Sequence, residues 1–122
     1  MTLDDLHTLW AEQIARTRLA MEVKDADLSA LHVQLHNATW CPDCERESTV
    51  LLALSQGAAK GFGVLELNSY EDKAAYQSAK ADGRLSVDCL PTLIVKREGK
   101  EVLRIEEDSQ GGLVESVLAL SA

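Results

Sequence analysis

Two cysteines separated by two residues, Cys41 and Cys44, constrain the fold more than any other feature of this sequence. The residues before them, Leu31 to His36, alternate between apolar and polar side chains, as a half-buried strand does. The residues after them contain an apolar cluster at 50–54 and no glycine before Gly57, which favours a helix that tolerates proline in its first turn. The sequence therefore predicts a strand, the cysteine motif and a helix in direct succession.

This placement suits the two cysteines to thiol–disulfide exchange, which needs one exposed, ionised thiol and a second thiol that displaces the mixed disulfide. Cys41 is predicted at the helix N-terminus, where unpaired backbone N–H groups and the helix dipole stabilise a thiolate. Cys44, one turn later, is expected nearer the interior and suited to resolve the intermediate. Pro42 stiffens the loop, whereas the Asp43 carboxylate disfavours a second negative charge. We therefore predict a more reducing couple than in an Asp43→Ala variant.

Half of a zinc site is the alternative interpretation of the same two cysteines. A four-ligand site needs a second pair of cysteine or histidine ligands at suitable spacing. The remaining candidates are scattered: His7, His32, His36 and Cys89. We predict no metal ligands and expect His32 and His36 on a solvated strand face and His7 on a helix surface.

The length of 122 residues, of which 46% are hydrophobic, fits one compact domain. A net charge of -8 repels phosphate backbones and anionic head groups, which argues against nucleic-acid and membrane partners. The first residues are acidic where a secretory signal is basic, and no apolar run is long enough to span a bilayer. The three cysteines are an odd number and do not resemble the evenly paired framework of a disulfide-stapled secreted domain. Together, these features predict a cytoplasmic protein.

The predicted order of elements along the single domain 1–122 is α-β-α-β-α-β-β-α. The domain comprises an N-terminal helix within 1–24, which ends near Met21 to Lys24, and a core over 31–122. The third helix is predicted to start at a cap formed by Asn68 or Ser69 and to end at Asp82-Gly83. A hairpin turns at 97–100, and a flexible stretch at 109–112 precedes the last helix.

Two motifs about fifty residues apart together resemble the thioredoxin superfamily. They are Trp40-Cys41-Pro42-Asp43-Cys44 at the strand-to-helix junction and Cys89-Leu90-Pro91-Thr92-Leu93 before the hairpin. The first motif is similar to that of small thioredoxin-like proteins of the bacterial type, which eukaryotes also have. The resemblance covers most of the chain from Leu31 onward. It implies an α/β thioredoxin-like fold, in which a central mixed sheet of four strands, or five, is flanked by helices.

The resemblance also implies how the site works. The Leu90-Pro91 peptide bond is expected to be cis and to leave the Leu90 backbone free to pair with an extended substrate segment. Trp40 is expected to cover the Cys41-Cys44 disulfide and to contribute to docking. That disulfide is the redox group, so no cofactor is expected. The expected partners are disulfide-containing proteins or small thiol substrates, and an upstream reductase or thiol donor.

One departure from the family concerns proton transfer. Thioredoxin proper has a buried aspartate six residues before the first cysteine, and this position is Leu35 here; an accompanying lysine is matched by Val64. A proton relay is therefore expected to use water, Asp43, Glu66 or another group.

Two other points stay open at the level of sequence. Cys89 is either a site for glutathionylation or dimer formation or a plain buried residue. The functions that compete with a reductase are a redox-regulated protein-binding module and a dedicated electron donor to one partner enzyme.

Overall fold

A four-stranded mixed sheet forms the centre of the computed structural model, which describes residues 2–70, 72–83, 89–106 and 112–120. Its strands are β1 (Leu31–Asn37), β2 (Val64–Ser69), β3 (Thr92–Arg97) and β4 (Lys100–Glu106), in the order β2-β1-β3-β4. The central strand β1 runs parallel to β2 and antiparallel to β3, and β3 and β4 form an antiparallel hairpin. The predicted α/β class with a four-stranded sheet is confirmed.

The helices are α1 (Leu3–Leu9), α2 (Ala11–Leu19), α3 (Pro42–Gly57), α4 (Lys73–Ala81) and α5 (Leu113–Leu118). Apolar side chains on one face of the sheet, such as Val33 and Leu35, pack in one buried core with Leu51 of α3 and Val117 of α5. Because side chains alternate along a strand, His32 and Gln34 lie on the opposite face of β1. Within the described ranges, no helix has the length and apolar composition needed to cross a membrane.

The N-terminal helix differs from its prediction, because it is broken at Trp10 and ends at Leu19 rather than near Met21 to Lys24. Trp10 has φ -112° and ψ 23°, outside the helical region, although its carbonyl still accepts a hydrogen bond from the Ile14 amide. Its ring is 5% exposed and belongs to a buried cluster with Leu6, Ile14, Leu52 and Ala53. Burial of the ring at this point joins α1 and α2 to α3.

The N-cap of α4 was predicted at Asn68 or Ser69, and this prediction is wrong. Ser69 pairs with Asn37 in the parallel ladder between β1 and β2, so it belongs to a strand. Asp72 caps the helix instead, and its carboxylate accepts a hydrogen bond from the Ala75 amide at 2.7 Å. The helix ends at Ala81 with Asp82 as its C-cap, and Gly83 follows at φ +71°, in agreement with the predicted end at Asp82-Gly83.

The hairpin between β3 and β4 turns at two residues, Glu98 and Gly99, so each strand is one residue longer than expected on its turn side. Both residues have positive φ, 53° and 79°, as in the two-residue turns whose twist matches that of the flanking strands. At the other end of the domain, the predicted flexible stretch at 109–111 lies outside the described residues.

The prediction of a solvated strand face is wrong for His36, whose side chain is 7% exposed. Its burial, together with the nearby positive charge of Arg104, lowers the pKa of the His36 imidazole. His32 is half-buried, with its Nε2 2.9 Å from Glu66 Oε1. His7 on α1 lies with Nδ1 2.9 Å from the Gln56 amide nitrogen.

Candidate redox site

The strand-to-helix junction places Cys41 at the N-cap of α3, as its sequence predicts. Cys41 has extended backbone angles, φ -108° and ψ 116°, and Pro42 occupies the first helical turn, where its missing N–H costs no hydrogen bond. The Cys44 backbone amide donates to Cys41 Sγ at 3.4 Å, so the sulfur takes the place that a serine or aspartate oxygen takes at other helix N-termini. The thiol group of Cys41 thus faces helix N–H groups that stabilise negative charge on it.

Cys44 lies one turn further along α3 and is fully buried, whereas Cys41 is half-buried. Burial raises the pKa of the Cys44 thiol strongly, and its hydrogen bond with Cys41 adds to the rise. A backbone hydrogen bond with Ala38 acts in the opposite direction. The two thiols are therefore unequal: the one at the N-cap is accessible, and the other is shielded.

The second motif lies next to the first in the folded domain. Cys41 Sγ lies 4.0 Å from the carbonyl oxygen of Leu90, 49 residues away in the chain. The Leu90-Pro91 peptide bond is cis, and Pro91 is buried while Leu90 is half-buried. The structure thus brings Cys41, Leu90 and Pro91 together at one end of the sheet.

Trp40 forms the start of an aromatic surface beside Cys41. Its indole Nε1 donates to the Tyr70 carbonyl oxygen at 3.2 Å, and its ring centroid lies 6.2 Å from that of Tyr76. Tyr76 in turn meets Tyr70 edge to face at 5.5 Å, and Lys73 Nζ lies 5.9 Å from the Trp40 ring centroid. This cluster was not predicted from the sequence, because Tyr70 reaches Trp40 from the end of β2 and Lys73 and Tyr76 reach it from α4.

Asp43 lies at the exposed start of α3 and forms an ion pair with Arg46. Asp43 Oδ1 is 3.0 Å from Arg46 Nη2, and both side chains are about half exposed (50% and 51%). This cation offsets part of the negative charge that Asp43 places near Cys41, and solvent screens the remainder.

Three residues after Cys44 on α3 lies a buried acidic side chain that was not predicted from the sequence. Glu47 is 5% exposed and lines a cavity of about 10 Å³ together with six apolar residues: Leu35, Leu51, Pro91, Leu93, Ile105 and Leu113. The sequence does contain one signal for the burial of Glu47, which is its position three residues after Cys44. Residues three apart on a helix share a face, and Cys44 is predicted to point inward. Glu66, one of the predicted relay groups, lies on the opposite sheet face from Leu35 and contacts Gln34 and His32.

Cys89, the first residue of the second motif, is half-buried, with Sγ 3.8 Å from the Thr92 hydroxyl oxygen. The Thr92 hydroxyl itself donates to the Cys89 carbonyl at 2.8 Å. All three cysteines are free thiols in the structure. In the part of the chain that the structure describes, no group of three or more His, Cys, Asp or Glu side chains is arranged to hold a metal ion.

Comparison with known proteins identifies the relatives of the chain. It is 30% identical to the thioredoxin-like protein Clot of Oryza sativa subsp. japonica over 112 residues, which cover 86% of this chain and 76% of that protein. No family model matches the sequence. The relative is a plant protein, so the bacterial subtype stays a prediction.

Solved structures show the same fold at lower identity. The thioredoxin NaTrxh of Nicotiana alata superposes with a TM-score of 0.53 at 22% identity, over 94% of this chain and 87% of that one. The thioredoxin of Malassezia sympodialis gives a TM-score of 0.54 at 19% identity, over 80% of each chain. These structures support the fold, and the Oryza sequence supports the kinship. The chain therefore belongs to the thioredoxin superfamily.

Proposed function

We propose that the protein is a thiol–disulfide oxidoreductase that reduces disulfides of proteins or small molecules through the Cys41/Cys44 dithiol. The arrangement of the two thiols carries this proposal: a half-buried sulfur caps α3, and a fully buried thiol lies one turn behind it. An accessible thiolate initiates exchange, and a shielded neighbouring thiol completes it.

The first step is attack of the Cys41 thiolate on a target disulfide. A bond forms between Cys41 Sγ and one target sulfur, the target S–S bond breaks, and the other target sulfur leaves as a thiolate. The Leu90 carbonyl, 4.0 Å from Cys41 Sγ, and the adjoining Pro91 lie where an extended target segment would pair. Trp40 offers an apolar ring for the same segment, with Lys73 beside it.

The second step releases the target. Cys44 loses its proton and attacks Cys41 Sγ, which forms the Cys41-Cys44 disulfide and expels the second target sulfur as a thiolate. Two electrons thus pass from the dithiol to the target disulfide. An upstream reductase or thiol donor must then return two electrons to the protein, with no further cofactor. A reducing compartment such as the cytoplasm favours this direction.

A dedicated electron donor to one partner enzyme is the second candidate, favoured by the aromatic surface of Trp40, Tyr70 and Tyr76 beside Cys41. Sustained turnover on a panel of disulfide substrates with a chemical reductant separates the candidates. We expect repeated turnover on several substrates. A redox-regulated binding module would bind a partner without turnover, and a dedicated donor would turn over one partner alone.

Replacing Asp43 with alanine is expected to increase the alkylation rate of Cys41 at neutral pH by about two- to fivefold, because it removes a negative charge beside the thiolate. The change is modest because Arg46 already pairs with Asp43 at 3.0 Å and both side chains are half exposed. The pH dependence of alkylation in wild type, Asp43→Ala and the distant control Asp4→Ala measures it. Slower alkylation of Asp43→Ala would reverse the role assigned to the carboxylate.

A further inference from the structure

Release of the target, as proposed above, requires a base for the Cys44 proton. The Cys44 side chain is fully buried, and burial raises the pKa of its thiol, so little thiolate is available at neutral pH. A thiol in this environment attacks a disulfide at a useful rate only when a neighbouring group accepts the proton.

Neither of the two carboxylates considered from the sequence, Asp43 and Glu66, fits this position. Leu35, at the place of the family aspartate, has an apolar side chain that lines the cavity. Asp43 is half exposed and paired with Arg46. Glu66 lies on the far face of the sheet, where its carboxylate contacts His32 and Gln34. Neither Asp43 nor Glu66 therefore presents its carboxylate to the interior behind Cys44.

Glu47 does lie in that interior. It follows Cys44 by three residues on α3, so the two side chains leave the same face of the helix with Cβ atoms about 5–6 Å apart. It is 5% exposed, and β1, β3, β4 and α5 contribute only apolar side chains to the cavity that it lines. The charged neighbour on its own helix is Arg46, whose Nε lies 3.9 Å from Glu47 Oε1.

The cavity that Glu47 lines extends to Pro91 of the second motif. Its volume of about 10 Å³ is at the lower limit for one water molecule, and its lining includes Pro91, which adjoins the Leu90 carbonyl near Cys41 Sγ. A buried carboxylate among leucines is costly to desolvate, and such groups concentrate where proton transfer is needed.

We propose that Glu47 is the base that accepts the Cys44 proton, directly or through one water in this cavity, during release of the target. The inference rests on the proposed function. The proton leaves Cys44 Sγ for the Glu47 carboxylate, the new thiolate bonds to Cys41 Sγ, and the target sulfur departs with the electron pair of the mixed disulfide bond. The Glu47 proton then passes to solvent before the next cycle.

Rapid mixing with an aromatic disulfide reagent that releases a coloured thiolate tests this step. The first release reports attack by Cys41, and the second reports resolution by Cys44. In Glu47→Gln we expect an unchanged first phase and a second phase slower by at least about tenfold at neutral pH. The slowed phase should accelerate with rising pH in proportion to hydroxide, because bulk base then replaces the carboxylate, and Glu47→Asp should recover part of the rate.

Two results would overturn the role of Glu47: a second phase with wild-type rate and pH profile in Glu47→Gln, or equal slowing of both phases, which indicates a structural effect. Glu12→Gln, an exposed acid in the first turn of α2, is the matched charge control. Absence of a second release from the wild type would defeat the proposed function itself, so the two failures are distinguishable.

Discussion

Replacing Cys44 with serine is expected to stop the reaction at a covalent complex between Cys41 and the target, with turnover lower by more than about a hundredfold. The hydroxyl of serine is a far weaker nucleophile than a thiolate and leaves the mixed disulfide intact. Because Cys41 is the half-buried thiol of the motif, the first attack should proceed at nearly its normal rate. Mass spectrometry without reductant measures the trapped adduct, and a coupled assay measures turnover.

The other two cysteines supply the controls for this trap. Cys41→Ser should form no adduct at the motif, since the remaining motif thiol is fully buried. Peptide mapping distinguishes this result from an adduct on the half-buried Cys89. Cys89→Ser should turn over like the wild type, because the Cys89 thiol contacts the Thr92 hydroxyl and the exchange proposed above needs only Cys41 and Cys44. An adduct on Cys44 in the Cys41→Ser variant at the wild-type rate would exchange the roles of the two thiols.

Replacing Trp10 with alanine is expected to lower the free energy of unfolding by about 3–5 kcal/mol, as large-to-small substitutions of buried aromatic residues do. The indole is 5% exposed and packs in one cluster with Leu6 of α1, Ile14 of α2 and Leu52 of α3. A domain of this size has only about 5–15 kcal/mol in total, so the effect is large. Urea denaturation followed by circular dichroism measures it.

Leu19→Ala is the control for Trp10→Ala, because the Leu19 side chain is 87% exposed and should change stability by less than about 0.5 kcal/mol. Wild type should unfold in one transition, with the N-terminal helices and the sheet melting together. Two separate transitions, with Trp10→Ala shifting one alone, would contradict the single-domain prediction for residues 1–122.

The parts of the site that the sequence predicted depend on short-range chemistry. A cysteine before Pro42 at a strand-to-helix junction takes the helix N-cap position. Helix ends such as Asp82-Gly83 follow from local backbone preferences in the same way. The alternation of β1 likewise placed Val33 and Leu35 in the core. The cis Leu90-Pro91 bond, in contrast, was expected from the family resemblance of the second motif.

The parts that the sequence did not predict arise from long-range packing. An acidic side chain on a helix is normally exposed, so the burial of Glu47 becomes visible only when β1, β3 and α5 close over it. The break at Trp10 likewise depends on the cluster that α3 offers to its ring, and the burial of His36 depends on neighbours beyond its own strand. Helical spacing indicates the face of α3 on which Glu47 lies, but neither period nor propensity shows which distant elements close over such residues.

The central claim is that Cys41 and Cys44 cycle reversibly between dithiol and disulfide, and equilibration with graded glutathione buffers tests it most directly. Alkylation and mass measurement count the free thiols in wild type and in Cys41→Ser. We predict a single two-electron transition in the wild type, more reducing than the glutathione pool, and none in Cys41→Ser. A pair that never oxidises, or that carries stoichiometric zinc instead, would contradict the claim and leave the fold as a binding scaffold.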